Sequence, residues 1–148
     1  MQNCNSTWAQ GGIAAVMSES DSFEKHIQDT LAAGANLNDT EVVKQVVENA
    51  PDAISHLTKW GVKFDRDSQN QLHLAKEGAH SERRVLHVQD HTGKDIHEKL
   101  LQKAVEHPNI QIFEEACAVD LLTSKKLHLK PNEQNRCFGA YILDVKTS

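Results

Sequence analysis

Two stretches of the sequence contain residue types that can bind or orient a ligand. The first, residues 5–15, is built around the glycine pair Gly11-Gly12. Glycine has no Cβ, so the backbone there can approach a flat ligand or a phosphate closely, and N–H groups at a helix start favour an anion. The same letters also fit a simple glycine turn before a buried helix, since glycine pairs are common in turns.

The second stretch, residues 73–87, combines histidine, glycine and charged residues in a loop-like composition, which is common where loops meet ligands. Glu77, beside Gly78, is a candidate for contacting a substrate amine, because a carboxylate attracts an ammonium group. Arg83 and Arg84 can hold a carboxylate or a pyrophosphate through forked hydrogen bonds. The alternative is a solvated surface loop whose charges pair with one another.

The sequence shows no motif for metal binding, for a nucleotide phosphate or for a catalytic nucleophile. The histidines at positions 73, 80, 87, 91 and 97 match no zinc-site spacing, and no Cys-x-x-Cys accompanies them, so we expect no metal site. The sequence contains no Walker loop and no nucleophile elbow. It also lacks the Gly-x-Gly-x-x-Gly fingerprint that places a dinucleotide pyrophosphate on a helix.

The composition narrows the class of protein further. The 148 residues are 39% hydrophobic and 25% charged, with a net charge of -5, which fits one domain with a core and gives no basic surface for nucleic acid. No apolar run reaches the length of a membrane span. The three cysteines are odd in number and far apart. We therefore expect a soluble domain in the reducing cytoplasm rather than a disulfide framework.

The elements that must position these residues are helices early in the chain and strands late. Asp21 with Glu24, and Asn38 with Glu41, predict the starts of two helices, the first ending near Gly34. Pro51 predicts a kink or a fresh helix. A third helix is predicted from Thr92, and the glycine turn should feed a short helix within residues 8–16. Strands are predicted at residues 62–64 and 71–74 as a hairpin, and at 84–88, 110–113, 118–122 and 138–145, with a turn at 130–133.

The pattern is that of a mixed α/β chain, and both of its ends resemble cut rather than finished elements. Residues 9–14 are similar to the second flavin-contacting segment of the succinate dehydrogenase and fumarate reductase flavoproteins. Further stretches resemble the L-aspartate oxidase family specifically, and the similarity extends to about residue 123. These stretches are residues 29–34, 61–65, 77–87, 90–93, 107–110 and 118–121.

The resemblance implies a fold and a set of cofactor contacts. Residues 1–148 would be part of a Rossmann-like FAD-binding domain without its N-terminal βαβ unit and capping domain. FAD would be held non-covalently, because Asn5 stands where covalent relatives carry a histidine. Cys117 and Ala118 match the position that meets the adenine. The segment along the isoalloxazine and pyrophosphate would be Asn5, Ser6, Thr7, Trp8, Ala9, Gln10, Gly11 and Gly12.

The family activity is the oxidation of L-aspartate to iminoaspartate, with FAD as hydride acceptor and oxygen or fumarate as reoxidant, in NAD (quinolinate) biosynthesis. Glu77 matches a glutamate that orients the substrate's amino group. The resemblance also implies an association with quinolinate synthase. The catalytic arginine and the residues that clamp the carboxylates have no counterpart in these 148 residues, so we assign no catalytic residue here.

Some residues depart from the family pattern, and two other identities stay open. Ala79 stands where a second glycine is usual, which matters only if that position needs a positive φ. Lys76 replaces an arginine and loses its bidentate fork. The alternatives are a piece of a fumarate reductase or succinate dehydrogenase flavoprotein, against which Asn5 and Glu77 speak, and a truncated module without catalysis.

Overall fold

The computed structural model describes residues 4–35, 37–128 and 134–145. The chain divides into two compact units by its internal contacts, one ending at His107 and the other beginning at Pro108. The first unit contains three helices and a small sheet, and the second contains a two-stranded ribbon. The expected mixture of helices and strands is therefore confirmed.

The first unit has three helices, α1 (Phe23–Ala33), α2 (Thr40–Lys59) and α3 (Thr92–Glu106). Their predicted starts are correct to within one residue. Ser22, not Asp21, caps α1 by accepting a hydrogen bond from the Lys25 N–H, and Asp39, not Asn38, caps α2. In each case the true cap lies one position later, because its side chain can reach the first N–H groups of the helix.

Pro51 lies inside α2, which continues through it from Thr40 to Lys59. The alternative of a fresh helix at Pro51 was therefore wrong. Proline removes one backbone hydrogen bond, but buried side chains lie on both sides of it, with Val43 and Val47 before and Ile54 after. Packing of this apolar face outweighs the local loss, as it does for most helices in globular proteins.

A small sheet lies at the centre of the first unit. Its strands are β1 (Ile13–Ala14), β2 (Leu74–Ala75) and β3 (Val85–Leu86), with β3 between the other two and antiparallel to both. The predicted short helix after the glycine pair was wrong, because residues 13–14 pair with β3 instead. The Ala15 N–H extends this pairing by donating to the Arg84 carbonyl at 2.9 Å.

The predicted hairpin between residues 62 and 74 is present as a narrow turn rather than as two long strands. Arg66 pairs with Leu72 as a single bridge, and Asn70 adopts a left-handed φ of 62°. The strand predicted at 84–88 is shorter, as β3. The main core cluster joins these elements to α2 and consists of Ala15, Ile54, Val62, Phe64, Leu86 and Val88.

The second unit is an antiparallel ribbon of β4 (Ala116–Thr123) and β5 (Cys137–Asp144). Both strands were predicted, whereas the strand predicted at 110–113 was wrong: no ladder partner pairs with those residues in the described chain. The turn predicted at 130–133 lies outside the described residues. None of the described helices is long and apolar enough to cross a membrane.

Candidate functional site

The segment expected to line a cofactor begins with a short 3-10 helix, Asn5–Trp8. Two backbone hydrogen bonds close it, from the Thr7 N–H to the Cys4 carbonyl and from the Ala9 N–H to the Ser6 carbonyl. Most of its side chains face outward, and Trp8 is 76% exposed. The segment is thus locally ordered while its side chains remain accessible.

The two glycines of the pair differ in the reason for lacking a side chain. A Cβ on Gly12 would collide with the Leu86 carbonyl and the Val85 side chain, so Gly12 allows β1 to lie close to β3. A Cβ on Gly11 would meet nothing within 4 Å. Among the described residues, none accepts a hydrogen bond from the Gly11 N–H. Gly12 therefore serves packing, and Gly11 presents bare backbone at the surface.

Gly93 is a third glycine in this region, and no role was predicted for it from the sequence. Its N–H donates to the Ala9 carbonyl at 3.0 Å. A Cβ there would collide with the Ser6 carbonyl and with Ala9. The start of α3 thus lies directly against the 3-10 helix and holds it in place. The sequence signal was the glycine one residue into a predicted helix, where its low helix propensity needs another explanation.

Glu77 lies in the turn between β2 and β3. The turn is closed by a hydrogen bond from the His80 N–H to the Glu77 carbonyl at 3.3 Å and by one from Lys76 Nζ to the Ser81 carbonyl at 2.7 Å. The Glu77 side chain is exposed, and within the described chain no group donates to its carboxylate. A ligand with a positive charge can therefore reach it.

Ala79 in the same turn has a φ of 67°. This is the left-handed region that glycine adopts without cost and that an alanine disfavours by about 1–2 kcal/mol. The glycine that is usual at this position in the family therefore suits the backbone better than Ala79 does, because the position has a positive φ. The turn tolerates Ala79, but it stores local strain.

Arg84 does not offer its guanidinium to a ligand, contrary to expectation. Its side chain is fully buried, and its forked face binds Asp21 with two hydrogen bonds of 2.8 Å. A third hydrogen bond of 2.6 Å joins it to Asp29. A buried arginine needs such carboxylate partners, because an unpaired buried charge is strongly destabilising. Arg83, by contrast, is exposed.

Asp29, on α1, joins this arginine to the Glu77 turn. Its Oδ2 accepts hydrogen bonds from Ser81 N–H and Ser81 Oγ, both at 2.7 Å, besides the one from Arg84. Burial raises the pKa of Asp29, but the bonds from Ser81 and then Arg84 outweigh it and bring the pKa to about 2. The carboxylate is therefore ionised whenever the chain is folded at neutral pH.

His26, also on α1, is a buried histidine beside this cluster. Its Nδ1 lacks a hydrogen-bond partner among the described residues, and its ring packs edge-on against His80 with centroids 5.7 Å apart. Burial lowers the pKa of His26, and the nearby Arg84 and His80 lower it further. The ring is thus held neutral against a cationic neighbour.

The structure relates the two candidate stretches through the sheet. Gly12 immediately precedes β1 and Glu77 follows β2, and these two strands run in the same direction on either side of β3. Gly12 and Glu77 therefore lie toward opposite ends of the sheet.

Cys117 and Ala118 lie in the second unit, on β4. They pair with Leu143 and Ile142 of β5, and both are exposed. Within the described residues, no group of three histidine, cysteine or acidic side chains is arranged to hold a metal ion.

Comparison with known proteins gives a consistent result. The FAD binding domain family matches residues 1–148. The chain is 46% identical over 138 residues to an L-aspartate oxidase of Acinetobacter baylyi, covering 93% of this chain and 25% of the relative. It is 40% identical over 144 residues to a chloroplastic L-aspartate oxidase of Arabidopsis thaliana, covering 97% and 21%. The chain thus spans about a quarter of the length of the curated relatives it matches.

Among solved structures, an E. coli quinol fumarate reductase is similar with a TM-score of 0.84 and 28% identity. The match covers 94% of this chain and 22% of that one. The helices and strands described above are therefore shared with a larger protein.

Proposed function

The chain belongs to the L-aspartate oxidase family of FAD-binding flavoproteins, and on that premise we propose that it forms part of the cofactor and substrate surface of an enzyme that oxidises L-aspartate to iminoaspartate. The cofactor FAD, expected from the sequence, is confirmed by the family match. The relatives support the expected flavin-dependent oxidoreductase activity, which is part of this proposal. The observation that carries the substrate proposal is the accessible Glu77 carboxylate, within a chain 46% identical to an L-aspartate oxidase.

The residues present fit a flavin. The segment Asn5–Gly12 is held by α3 through Gly93, its side chains are largely exposed, and Gly11 offers bare backbone with open space above it. A flat ring can lie against such backbone, and the Gly11 N–H can face an anion. Asn5 cannot form a covalent flavin bond, so we propose that FAD is held non-covalently.

The cofactor supplies the hydride acceptor, and the protein must hold the substrate's Cα against it. In this proposal Glu77 attracts the α-ammonium group of aspartate and repels a carboxylate in the same place. It therefore distinguishes aspartate from a plain dicarboxylate such as succinate. Cys117 and Ala118 are proposed to meet the adenine through their backbone. The chain supplies no group that we assign to proton transfer.

Two further features of the proposed enzyme rest on the family alone. A cytoplasmic location and an association with quinolinate synthase, within NAD biosynthesis, stay predictions. Copurification of the full-length flavoprotein with quinolinate synthase, against a control protein of similar charge, tests the association.

The substrate proposal is tested in the full-length flavoprotein that contains this chain. We expect flavin reduction by L-aspartate and none by D-aspartate, with succinate at least about a hundredfold less effective. Glu77→Gln should lower kcat/KM for L-aspartate by about ten- to a hundredfold, because it removes a charge-assisted contact. Reduction by succinate at the same rate as by aspartate would instead assign the chain to a fumarate reductase or succinate dehydrogenase.

The cofactor surface of this chain is tested separately. The 148 residues correspond to about a quarter of the relatives' length and lack the glycine fingerprint for a pyrophosphate. We therefore expect the isolated chain to bind FAD weakly, without stoichiometric flavin absorbance after gel filtration, and to form no peroxide from aspartate. A yellow one-to-one complex would contradict this expectation.

A further inference from the structure

We propose that Asp29 is a positioning residue that fixes the direction of Glu77 by holding the turn between β2 and β3 through Ser81. The inference rests on the proposed function, since the position of Glu77 matters for catalysis only if Glu77 contacts the substrate. Asp29 lies 52 residues before Ser81 in the sequence, and it would not touch the substrate itself.

The turn has little to hold it from within. Gly78 is surrounded by open space, Ala79 is in a left-handed conformation, and the residues from Lys76 to Ala79 are exposed. Its internal hydrogen bonds join Glu77 to His80 and Lys76 to Ser81. They set the shape of the turn, but they do not set its direction relative to the rest of the first unit.

That direction comes from α1. Asp29 Oδ2 accepts hydrogen bonds from both the N–H and the hydroxyl of Ser81 at 2.7 Å. One carboxylate oxygen therefore binds the backbone and the side chain of Ser81 at the same time. The same oxygen is held by Arg84 at 2.6 Å, whose own side chain is fully buried. Such short, charge-assisted bonds are stronger and more directional than neutral ones. Asp29 therefore connects a rigid buried arginine to an exposed turn.

The neighbouring ion pair between Lys25 and Glu82 has a different character. Its nitrogen and oxygen are 2.7 Å apart, but the side chains are 48% and 30% exposed. An exposed pair is screened by water and contributes little. A third contact between α1 and this turn is the edge-on packing of the His26 and His80 rings, with centroids 5.7 Å apart. Of the three, only the contact between Asp29 and Ser81 is a short hydrogen bond to the backbone of the turn.

The position of the carboxylate affects substrate binding steeply, because a displacement of about 1 Å can cost up to about a hundredfold in rate or affinity. Loss of the Ser81 hydroxyl removes one of the two bonds to Asp29 and a longer one of 3.4 Å from Arg84, and it leaves the pairing of Asp29 with Arg84 intact. We therefore expect Ser81→Ala to weaken the use of aspartate without unfolding the protein. Its signature should be a higher KM at a nearly unchanged kcat.

The experiment uses the full-length flavoprotein that contains this chain. Ser81→Ala should raise KM for L-aspartate about tenfold with kcat within about twofold, and Ser81→Thr, which keeps a hydroxyl, should restore most of the affinity. Ser68→Ala, an exposed serine in another turn, is the matched control and should leave both constants unchanged. Asp29→Asn combined with Ser81→Ala should raise KM little beyond Asp29→Asn alone, because both short hydrogen bonds of Ser81 end on Asp29.

A second readout needs neither flavin nor turnover. Hydrogen exchange at the Ser81 amide should accelerate at least about tenfold in Asp29→Asn, because that amide loses its charged acceptor. A KM for Ser81→Ala within twofold of the parent, while Glu77→Gln raises it, would overturn the positioning role and leave the proposed function standing. An unchanged kcat/KM in Glu77→Gln would overturn the role of Glu77 and the positioning inference with it.

Discussion

The region up to His107 and the region from Pro108 differ in how much apolar surface each buries by itself. All ten buried apolar residues of the described chain lie in the first region, between Ala15 and Val88. In the described part of the second region only Ser124 is buried. Its ribbon leaves large side chains exposed on both strands, among them Val119, Leu121, Phe138, Tyr141 and Ile142.

The difference shows that different interactions stabilise the two regions. The first has a core and a buried ion-pair cluster, which together fix the positions of its loops. A two-stranded ribbon has hydrogen bonds but no interior, and such a hairpin is marginally stable by itself. The register of β4 and β5 is clear, yet their stability must depend on burial that the ribbon does not itself supply.

The largest effect is expected from the buried arginine of the first region. Arg84→Ala should reduce the free energy of unfolding by about 3–5 kcal/mol, because it leaves Asp21 and Asp29 without their partner. Arg83→Ala, at the adjacent exposed position, is the control and should stay within about 0.5 kcal/mol. Urea unfolding followed by circular dichroism measures both. Equal effects would mean that the cluster does not stabilise the first region.

A pair of truncations compares the two regions directly. Ile54→Ala should lower the free energy of unfolding by about 2–5 kcal/mol, because Ile54 is only 2% exposed and its removal leaves a cavity. Leu121→Ala, at a position 53% exposed on β4, should cost less than about 1 kcal/mol in the isolated chain. If chemical denaturation gave the same loss for both, the ribbon would have a packed interior after all.

Acid should weaken the first region through His26. Its pKa is lowered by folding from the ordinary value of 6.5, so the unfolded chain binds the proton more readily and stability falls as the pH drops below 6.5. Asp29, with a pKa of about 2, and Asp21, also lowered, add a further loss below about pH 4.

The urea midpoint measured between pH 7.5 and pH 5 checks the histidine contribution. His26→Leu should flatten the pH dependence in this range, since an apolar side chain takes the place of a ring whose Nδ1 has no described partner. His73→Asn, at an exposed histidine, should keep the slope of the parent. If His26→Leu kept the pH dependence of the parent, His26 would not be the source of the acid sensitivity.

The smallest effect concerns the strained turn. Ala79→Gly should stabilise the first region by about 0.5–1 kcal/mol, because it relieves a left-handed alanine at the cost of some chain entropy. Ala32→Gly, at an exposed position in α1, should have the opposite sign and cost about 1 kcal/mol. Thermal unfolding of both variants gives the comparison, and destabilisation by Ala79→Gly would contradict the strain.

Much of the fold could be predicted from local signals. The three helices follow from spaced apolar residues, and α1 and α2 also from side chains that cap their first turn. The strands β4 and β5 follow from runs of strand-forming residues. The failures occurred where pairing at a distance decides. Residues 13–14 form a strand because β3, over seventy residues later, offers a ladder, whereas residues 110–113 have no such partner among the described residues.

The candidate site, too, could be predicted only in part from the sequence. The sequence identified Glu77 and the glycine segment, because their residue types suit a ligand and their motifs resemble a family. It did not identify the supports. Asp21 was interpreted as a helix cap and Arg84 as a ligand contact, although the two pair with each other across 63 residues. A signal was available, since an arginine immediately before a buried strand needs carboxylates to neutralise it.

The sequence by itself determined the family, the cofactor class, the helices and the residue types available for chemistry. These depend on neighbours within a few positions, or on motifs that keep their order along the chain. Only the tertiary structure decided that Gly12 serves packing while Gly11 stays open, and that Arg84 is enclosed while Glu77 is exposed. Those outcomes depend on which groups from distant segments meet, and a buried charge or a missing Cβ has its effect only through the atoms that surround it.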